Sequence, residues 1–366
     1  CSIMMKVNIY FMLFHNCKIE NLLKIIFLRD EKMDKIQKRN TMKINIYTIA
    51  SEAGVSIATV SRVLNNSPSV SEKTKEKVFS VIRSHNYVPS AIAQNLSTRT
   101  SGNLIGIVCY NLKDLYYATA ISLLESALRK RGHHIILSCT GEDYIQKQKS
   151  IEMLITKQVD AIILIGSVFL DAHGNNAYLI NAAKHCPLVI INGKIKSDNI
   201  YSFYCDDFAA VRDCVHKLSE KRRNFLFLYD ADTYSGNLKM TGFLEGMKEC
   251  GLDPTGRTLR CEPTPNSAAE QFTKFLDASH KVDVVITSND VLAAGVLNAA
   301  AKRKMRVPED ISIIGYNNSI ITQCTTPPLS SIDNGLDQLC ELAVNSLVKL
   351  FNGETVNGVT TVSPHL

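Results

Sequence analysis

Residues 45–65 read NIYTIASEAGVSIATVSRVLN and contain the clearest pattern of this 366-residue chain. Apolar residues recur there at helical spacing on both sides of Gly54, which predicts two short helices. Asn45 and Ser56 precede these helices and can cap them through their side-chain oxygens. Gly54 supplies the left-handed backbone that a tight helix exit needs. The stretch therefore predicts a helix-turn-helix.

The second of these helices has an outward face of distinctive chemistry. Val60, Val63 and Leu64 are predicted to face inward. The opposite face then carries short side chains and one cation: Ile57, Ala58, Ser61 and Arg62. A recognition helix presents such a face to base edges and phosphates, so we expect this segment to bind duplex DNA. On pattern alone, a helical hairpin with no nucleic-acid partner is the alternative.

A third helix and a linker complete this head. Ser71 can cap the third helix, whose apolar residues are available to close a three-helix core: Val78, Phe79, Val81 and Ile82. The helix should end before Pro89, because the residue preceding a proline disfavours helical backbone. Residues 90–96 allow only two helical turns, which are marginal alone in water. We therefore expect a DNA-binding domain over 42–88 and a hinge helix with linker over 89–103.

The positive charge of the chain is concentrated at its beginning. Residues 1–41 carry 8 Lys/Arg against 4 Asp/Glu, and residues 42–101 carry 7 against 3. Residues 102–366 carry 26 against 28. A basic head on a slightly acidic body fits a DNA-binding module joined to a domain that does not touch DNA.

Residues 1–41 differ in composition from the remainder. They begin with Cys, are rich in Ile, Lys and Asn, and show no sustained period. We expect a non-native or disordered extension with Met42 as the biological start, and a native amphipathic arm is the alternative.

The eleven cysteines lack a CxxC pair and Cys/His metal-ligand spacing, so no metal site is predicted. Several, such as Cys109 and Cys139, lie in apolar strand-like runs, where a reduced thiol behaves as a small core residue. Reduced thiols indicate the cytoplasm. No run approaches the roughly 20 apolar residues that span a bilayer, so no membrane association is expected.

From Leu104 onward, apolar strands alternate with amphipathic helices. The predicted strands are 104–110, 134–139, 161–165, 188–191, 225–229, 282–287 and 311–315. The predicted helices are 117–131, 144–157, 207–220, 237–250 and 290–303. Apolar strands separated by helices imply parallel sheets covered on both faces. The chain is thus expected to be α/β: a helix-turn-helix head followed by two doubly wound parallel-sheet subdomains.

The chain should cross between the two subdomains near residues 203–206 and 319–332, where the alternation of strands and helices breaks. We expect an N-subdomain of about 104–204 and 333–358. The C-subdomain should comprise about 205–330 and 359–366.

Ligands of open parallel sheets bind beyond the carboxyl ends of the strands. The residues at those ends are mostly neutral and polar: Asn111, Ser167, Asn192, Asp230, Asn289, Asp290, Asn317 and Asn318. Three aromatic residues lie close to them in sequence: Tyr116, Tyr117 and Tyr234. Amides beside aromatic rings suit a sugar or another neutral polyol. The alternative is that Asp290 or Asn317 only caps a helix.

Motifs of catalysis are absent from the sequence. It contains no GxxxxGK[ST] phosphate loop, no GxGxxG after the first strand and no GxSxG elbow. The adjacent histidines His133 and His134 have no companion spacing. No catalytic residue, cofactor or enzymatic activity is therefore predicted. Two rival classes remain, a periplasmic sugar receptor and an enzyme on the same doubly wound fold.

Five segments together resemble the lactose-repressor (LacI/GalR) family of bacterial transcription regulators. They are GVSIATVSRVLN, YVPSAIAQNL, SNDVLAAGVLNAA, VPEDISIIGYNN and PPLSSID, and the resemblance runs from about Asn45 to the C-terminus. It implies a homodimer whose two heads read the half-sites of a palindromic operator. It also implies a two-lobed body similar to periplasmic sugar-binding proteins.

The resemblance assigns DNA-binding roles to the head. Positions that match base readers are Ile57, Ala58 and Arg62, and positions that match phosphate contacts are Tyr47, Ser61 and Asn65. Ser56, which precedes the same helix, is also expected to bind DNA. Leu96 matches the hinge-helix leucine that separates a central base step from the minor groove. Ile57 and Ala58 are apolar and cannot hydrogen-bond to bases, so the operator sequence stays open.

The resemblance also assigns an effector pocket. The matching positions are Tyr116, Ser235, Lys239, Asn289 and Asn317. Lys239 stands where the family has Arg, and Asn317 stands where it has Asp. A compact ammonium thus replaces the planar guanidinium of arginine, and a neutral amide replaces a carboxylate. We therefore expect a sugar-like effector that is bound differently from galactosides or ribose. The expected function is repression of a carbohydrate-utilisation operon, with induction favoured over corepression and a solute-binding receptor as the alternative.

Overall fold

The computed structural model describes most of the chain as two compact units, the head up to residue 85 and the body from residue 104. The described residues are 45–64, 67–85, 104–171 and 176–366. The predicted extension over 1–41 and the predicted hinge over 89–103 lie outside them.

The head contains the three predicted helices. They are α1 (Ile46–Ala53), α2 (Ile57–Leu64) and α3 (Glu72–Ser84). Asn45 accepts hydrogen bonds from the first turn of α1, and Ser71 caps α3 in the same way. Gly54 ends α1 with a φ of 62°. The core is entirely aliphatic: Ile49, Ala50, Ala53, Val60, Val63 and Val78.

Phe79 does not join this core, contrary to the sequence prediction. Its side chain is 39% exposed, whereas Val78 is fully buried and Val81 and Ile82 are half-buried. Consecutive residues of a helix are turned by about 100°, so a helix that buries Val78 directs Phe79 away from the same neighbour.

The body alternates strands and helices. Its strands are β1 (Leu104–Cys109), β2 (His134–Cys139), β3 (Ala161–Ile165), β4 (Leu188–Ile191), β5 (Ile200–Cys205), β6 (Phe225–Tyr229), β7 (Thr258–Arg260), β8 (Val284–Thr287), β9 (Ser312–Tyr316), β10 (Ser330–Ile332) and β11 (Val359–Val362). Its helices are α4 (Leu115–Arg129), α5 (Tyr144–Thr156), α6 (Ala177–Ala182), α7 (Asp207–Ser219), α8 (Tyr234–Glu249), α9 (Pro265–Asp277), α10 (Asp290–Lys302), α11 (Ile321–Cys324) and α12 (Leu336–Phe351).

The strands form two parallel sheets, each at the centre of one lobe. The first sheet has the order β11-β5-β4-β3-β1-β2, and the second has the order β10-β9-β8-β6-β7. Each sheet carries apolar clusters of helix and strand residues. Strand β3, AIILI, is buried throughout because helices cover both faces of its sheet. The α/β fold with two doubly wound lobes is confirmed.

The chain passes between the lobes close to the predicted positions. Strand β5 ends in the first lobe and α7 begins in the second, with only Asp206 between them. The return lies at residues 333–335, just beyond the expected range 319–332, because β10 still pairs with β9.

Strand β11 corrects the predicted subdomain boundary. Residues 359–366 were expected in the C-subdomain, but β11 pairs in parallel with β5 in the first sheet. The prediction also lacked β5, β7 and β10. Short strands such as β11, VTTV, give too few residues for a period to emerge, and pairing with a distant strand decides their place.

Gly295 is required where α10 crosses α9. A Cβ atom at this position would overlap the carbonyl oxygen of Pro265. Gly295→Ala is expected to force the helices apart and to lower the free energy of unfolding by about 2 kcal/mol. Thermal unfolding followed by circular dichroism should show a Tm about 5 °C lower.

Gly358→Ala is the matched control, because the nearest atom to its Cβ, the carbonyl oxygen of Ile200, would lie 3.8 Å away. Equal Tm values for the two variants would contradict the assigned close approach.

Candidate functional site

The inner face of α2 packs on the aliphatic core of the head, so its outer face is exposed to solvent. Tyr47 of α1 is 66% exposed and Ile57 is 41% exposed, and Ala58 and Arg62 are exposed as well. Ser61 is half-buried. The face therefore offers apolar contact surface together with one guanidinium, the chemistry that meets thymine methyl groups, guanine edges and phosphates.

Ser56 has a local structural task. Its Oγ accepts a hydrogen bond from the Thr59 amide at 3.1 Å and lies 2.9 Å from the Thr59 hydroxyl. The side chain is thus an N-cap of α2. The DNA-binding roles assigned to these head residues stay predictions, and Asn65 and Leu96 lie outside the described residues.

In the body, a polar cavity lies at the carboxyl ends of strands from both sheets. It contains about 610 Å³ of empty space, including the part open to solvent. Residues of both lobes line it: Asp114, Tyr116, Tyr117, Gly166, Ser167, Asn192, Asp230, Ala231, Thr233, Ser235, Gly236, Lys239, Ser288, Asn289 and Asn317. All five residues predicted to bind an effector lie in this lining. Their role toward a ligand stays a prediction.

Two carboxylates enter the cavity, one from each lobe. Asp114 caps α4 by accepting a hydrogen bond from the Tyr116 amide at 2.8 Å. Asp230 follows β6 and accepts hydrogen bonds from the Ser288 hydroxyl and the Asn289 side-chain amide, both at 2.8 Å. Loss of water around the Asp114 carboxyl raises its pKa, and the negative charge of Asp230 raises that pKa further.

Lys239 is a buried cation in the floor of this cavity. The residue is only 6% exposed, and its Nζ donates a hydrogen bond to the Ser288 carbonyl oxygen at 3.2 Å. The same Nζ lies 3.8 Å from the centre of the Tyr316 ring. An ammonium over an aromatic face is attracted by the ring quadrupole, which compensates part of its lost hydration.

Asp207 links this cation to the wall of the cavity. Its carboxylate accepts hydrogen bonds from the Tyr316 hydroxyl and the Ser235 hydroxyl, both at 2.5 Å. Burial, together with the Asp207 charge, raises the pKa of Tyr316 well above its usual value. The Ser235 amide in turn donates to Ser167 Oγ at 3.0 Å, which joins the two lobes. Ser235 therefore connects the two lobes and also lines the cavity.

Asn289 and Asn317 occupy strand ends with special backbone roles. Asn289 caps α10 through the Leu292 amide at 3.1 Å. Asn317 has a φ of 88°, a left-handed conformation that asparagine tolerates, and its Oδ1 accepts from the Asn334 side chain at 3.0 Å. Asn334 lies in the return between the lobes, so this hydrogen bond connects the cavity to that crossing.

Two buried polar atoms in the lining have no hydrogen-bond partner among the described residues. They are the Tyr116 hydroxyl and Asn192 Oδ1. Burial of the ring raises the pKa of Tyr116 well above its usual value. A buried polar atom without a partner is costly, so a ligand with both donors and acceptors would bind favourably here.

Sequence reasoning placed some residues in the cavity that the fold uses elsewhere. Asn111 holds the turn before α4 by accepting from the Lys113 and Asp114 amides. Asp290 accepts from the Ser319 amide and the Ser331 hydroxyl, both at 2.6 Å, and so fastens the loop after β9. Asn318 and Tyr234 do not line the cavity either.

Asp114, Thr233, Ser288 and Asp207 were missed by sequence reasoning. Asp114 and Thr233 lie beyond the strand ends and cap the following helices, so a search for capping residues after each strand would have found them.

Other site classes find no support in the described part of the chain. No group of three or more His, Cys, Asp or Glu side chains there could hold a metal ion. None of its helices has both the length and the apolar character needed to cross a membrane.

Comparisons with known proteins match the head and the body separately. A family model described as bacterial regulatory proteins, lacI family, matches residues 45–90, and a periplasmic binding protein-like domain matches residues 215–366. The chain is 40% identical to an HTH-type transcriptional regulator of Lachnoclostridium phytofermentans over 88% of its own length and 98% of the relative.

Two solved structures share the fold. A lac repressor dimer bound to operator and the anti-inducer ONPF has a TM-score of 0.76 at 23% identity, covering 88% of this chain and 96% of the other. The transcriptional regulator CelR, in complex with cellobiose, has a TM-score of 0.62 at 24% identity, covering 88% and 98%.

Proposed function

The chain belongs to the LacI family of DNA-binding transcriptional regulators, and from this premise we propose that it is a repressor whose affinity for operator DNA is set by a small neutral sugar bound in the body cavity. The family consists of regulators rather than enzymes, and the helix-turn-helix head distinguishes the chain from a solute-binding receptor with the same body. The observation that carries the proposal is the cavity, which both lobes line with hydrogen-bonding groups.

The DNA partner is an operator with two half-sites. The exposed face of α2 supports this, because Ile57, Ala58 and Arg62 lie on one side of a short helix with its core behind it. A homodimer with two such heads would read a palindrome. The solved relative with the highest similarity reported above is itself a dimer on operator DNA. Bacterial operators lie in the cytoplasm, where we place the action of the protein.

The charges of the cavity favour a neutral effector over an anionic one. Its lining contains the carboxylates of Asp114 and Asp230 and a single cation, Lys239. Lys239 is already engaged with the Ser288 carbonyl and the Tyr316 ring. A phosphate would meet two like charges, whereas sugar hydroxyls can donate to the carboxylates and accept from the ammonium. The cellobiose complex of CelR supports the same class.

Effector binding would act by changing how the lobes are oriented. The Ser167–Ser235 and Asn317–Asn334 hydrogen bonds lie where the lobes meet or cross, so a ligand that touches both walls biases their arrangement. Coupling of this kind is typically worth about 1–3 kcal/mol, and operator binding must change effector affinity by the same factor. We propose that the effector is an inducer, which weakens operator binding. Corepression, in which the effector strengthens operator binding, is the second candidate.

A mobility-shift assay with the DNA upstream of its own gene tests the proposal. The protein should retard this DNA at moderate salt, and a neutral sugar from a panel of mono- and disaccharides should release it. Thermal shift measured with the same panel should identify the sugar, since a ligand at 100 times its Kd stabilises by about 2.7 kcal/mol.

Glucose 6-phosphate and other sugar phosphates are the controls and should give no thermal shift. Tighter rather than weaker DNA binding with the sugar would establish corepression. Intact protein that retards no DNA at any salt concentration would contradict repression, and a response to sugar phosphates alone would contradict the neutral effector.

A further inference from the structure

Cys109 and Cys139 form a close thiol pair at the edge of the first sheet. They end the neighbouring parallel strands β1 and β2 at the same register position, and their Sγ atoms lie 3.4 Å apart. Matched residues of adjacent strands share one face of the sheet, and a strand spacing of about 4.8 Å lies within the Cα separation that a disulfide spans. The sulfur atoms need to approach by only about 1.4 Å to form a bond.

The two thiols differ in their access to solvent. Cys139 is exposed at the sheet edge, whereas Cys109 is fully buried in the apolar cluster of the first lobe. Burial, together with the neighbouring Cys139 thiol, raises the pKa of Cys109 to about 12. Because Cys139 is exposed, a solute in water reaches it first. Cys109 stays protonated behind it, and its proton leaves with the hydroxyl group of an oxidised Cys139 when the two sulfur atoms join.

We propose that Cys109 and Cys139 are a peroxide-sensitive pair that closes to a disulfide and thereby weakens effector binding in the neighbouring cavity. The Cys139 thiolate attacks one oxygen of hydrogen peroxide, the O–O bond breaks, and the leaving hydroxide becomes water. Cys109 then attacks the sulfur of the Cys139 sulfenic acid, the S–S bond forms, the S–O bond breaks, and a second water leaves. The two thiols lose two protons and two electrons, and one peroxide becomes two waters.

The strand ends are connected to the cavity by a short chain of contacts. The Thr140 amide donates to the Cys109 carbonyl oxygen at 3.1 Å, and the Tyr110 hydroxyl donates to Glu142 at 3.0 Å. The ring of Tyr110 lies 6.0 Å from the ring of Tyr117, which lines the cavity.

Tyr117 has little room to absorb a displacement. Its hydroxyl would lie 2.7 Å from a Cβ placed on Gly166, so the ring already packs against that backbone. A shift of the ends of β1 and β2, as the two sulfur atoms close to bonding distance, is therefore transmitted to the lining. The weakening of effector binding is the second half of the proposal and rests on the proposed function. Disulfide formation, the first half, does not.

Peptide mapping and thiol counting after peroxide treatment test the first half. Reduced full-length protein, treated with a small excess of hydrogen peroxide, should lose two titratable thiols and about 2 Da, and dithiothreitol should restore both. Mapping should find Cys109 joined to Cys139. In Cys109→Ser, dimedone should instead label the sulfenic acid of Cys139.

Cys324→Ser is the matched control, since Cys324 is the other exposed cysteine of the described residues. It should lose the same two thiols, whereas Cys139→Ser should keep its thiols. Retention of all thiols in the wild-type protein, or equal loss in Cys139→Ser, would overturn the pair.

Calorimetry with the sugar selected by the panel tests the second half. The oxidised protein should bind this sugar about fivefold more weakly than the reduced protein, and Cys139→Ser should bind it equally after either treatment. Equal affinity of the oxidised and reduced wild-type protein would overturn the coupling and leave the disulfide in place. Absence of binding by the reduced protein would count against the proposed effector instead.

Discussion

Replacing Arg62 with alanine is expected to lower affinity for operator DNA by at least about 30-fold. A bidentate arginine–guanine contact contributes about 1–3 kcal/mol, and a dimer loses it in both half-sites. Arg62 suits this role because it is exposed on the face of α2 that also carries Ile57 and Ala58. Fluorescence anisotropy with the retarded DNA from the mobility-shift assay measures the loss, at several salt concentrations.

Arg83→Ala is the matched control for this variant. Arg83 is also an exposed arginine of the head but lies in the last turn of α3, outside the predicted recognition face. It should lose only the salt-dependent part of binding that any removed cation loses. Sugar binding should be unchanged in both variants, because the cavity belongs to the body. Equal losses for Arg62→Ala and Arg83→Ala would contradict base reading by Arg62.

Lys239→Met is expected to weaken effector binding by about 10- to 100-fold, because a hydrogen bond to a charged group contributes about 1.5–3 kcal/mol. Methionine can still pack on the Tyr316 ring, so the body should fold. The variant also leaves the carboxylates of Asp114 and Asp230 without the cation of the cavity. Calorimetry with the sugar selected by the panel measures the affinity, and the variant should bind DNA normally but no longer respond to that sugar.

Two further variants separate charge from packing. Lys239→Arg keeps the cation and can stack on the same ring, so most of the affinity should remain. Lys248→Met removes an exposed lysine of the same helix, α8, and should change nothing. Wild-type affinity in Lys239→Met would remove Lys239 from the effector site, and loss of DNA binding would point to misfolding.

The contacts of Lys239 and Asn317 in the cavity explain how these two residues are accommodated there. At the position where the resemblance implies an arginine, Lys239 places its charge over Tyr316, and the hydroxyl of that ring donates to Asp207. The cation is thereby compensated without a direct ion pair. Asn317, where the resemblance implies an aspartate, accepts from Asn334 and adds no negative charge to a cavity that already contains two carboxylates.

Local patterns were sufficient for much of the fold. The caps by Asn45 and Ser71 and the left-handed Gly54 involve residues a few positions apart, so sequence alone determines them. The long apolar strands were predictable because burial on both faces removes polar residues from them, as in β3. Short β7, β10 and β11 lacked such a signal, and residues 359–362, which form β11, were assigned to the wrong lobe.

The sequence by itself determined the helix-turn-helix, the alternation of strands and helices, and five cavity-lining residues at strand ends, because each leaves a periodic or motif signature within a few residues. The five are Ser167, Asn192, Asp230, Asn289 and Asn317. Only the tertiary structure paired Tyr316 with Asp207 across 109 positions and Cys109 with Cys139 across 30. It also brought Asp114 to face Asp230 from the other lobe. These contacts depend on which strands become neighbours, and that choice is made by packing of the whole sheet rather than by any local run of residues.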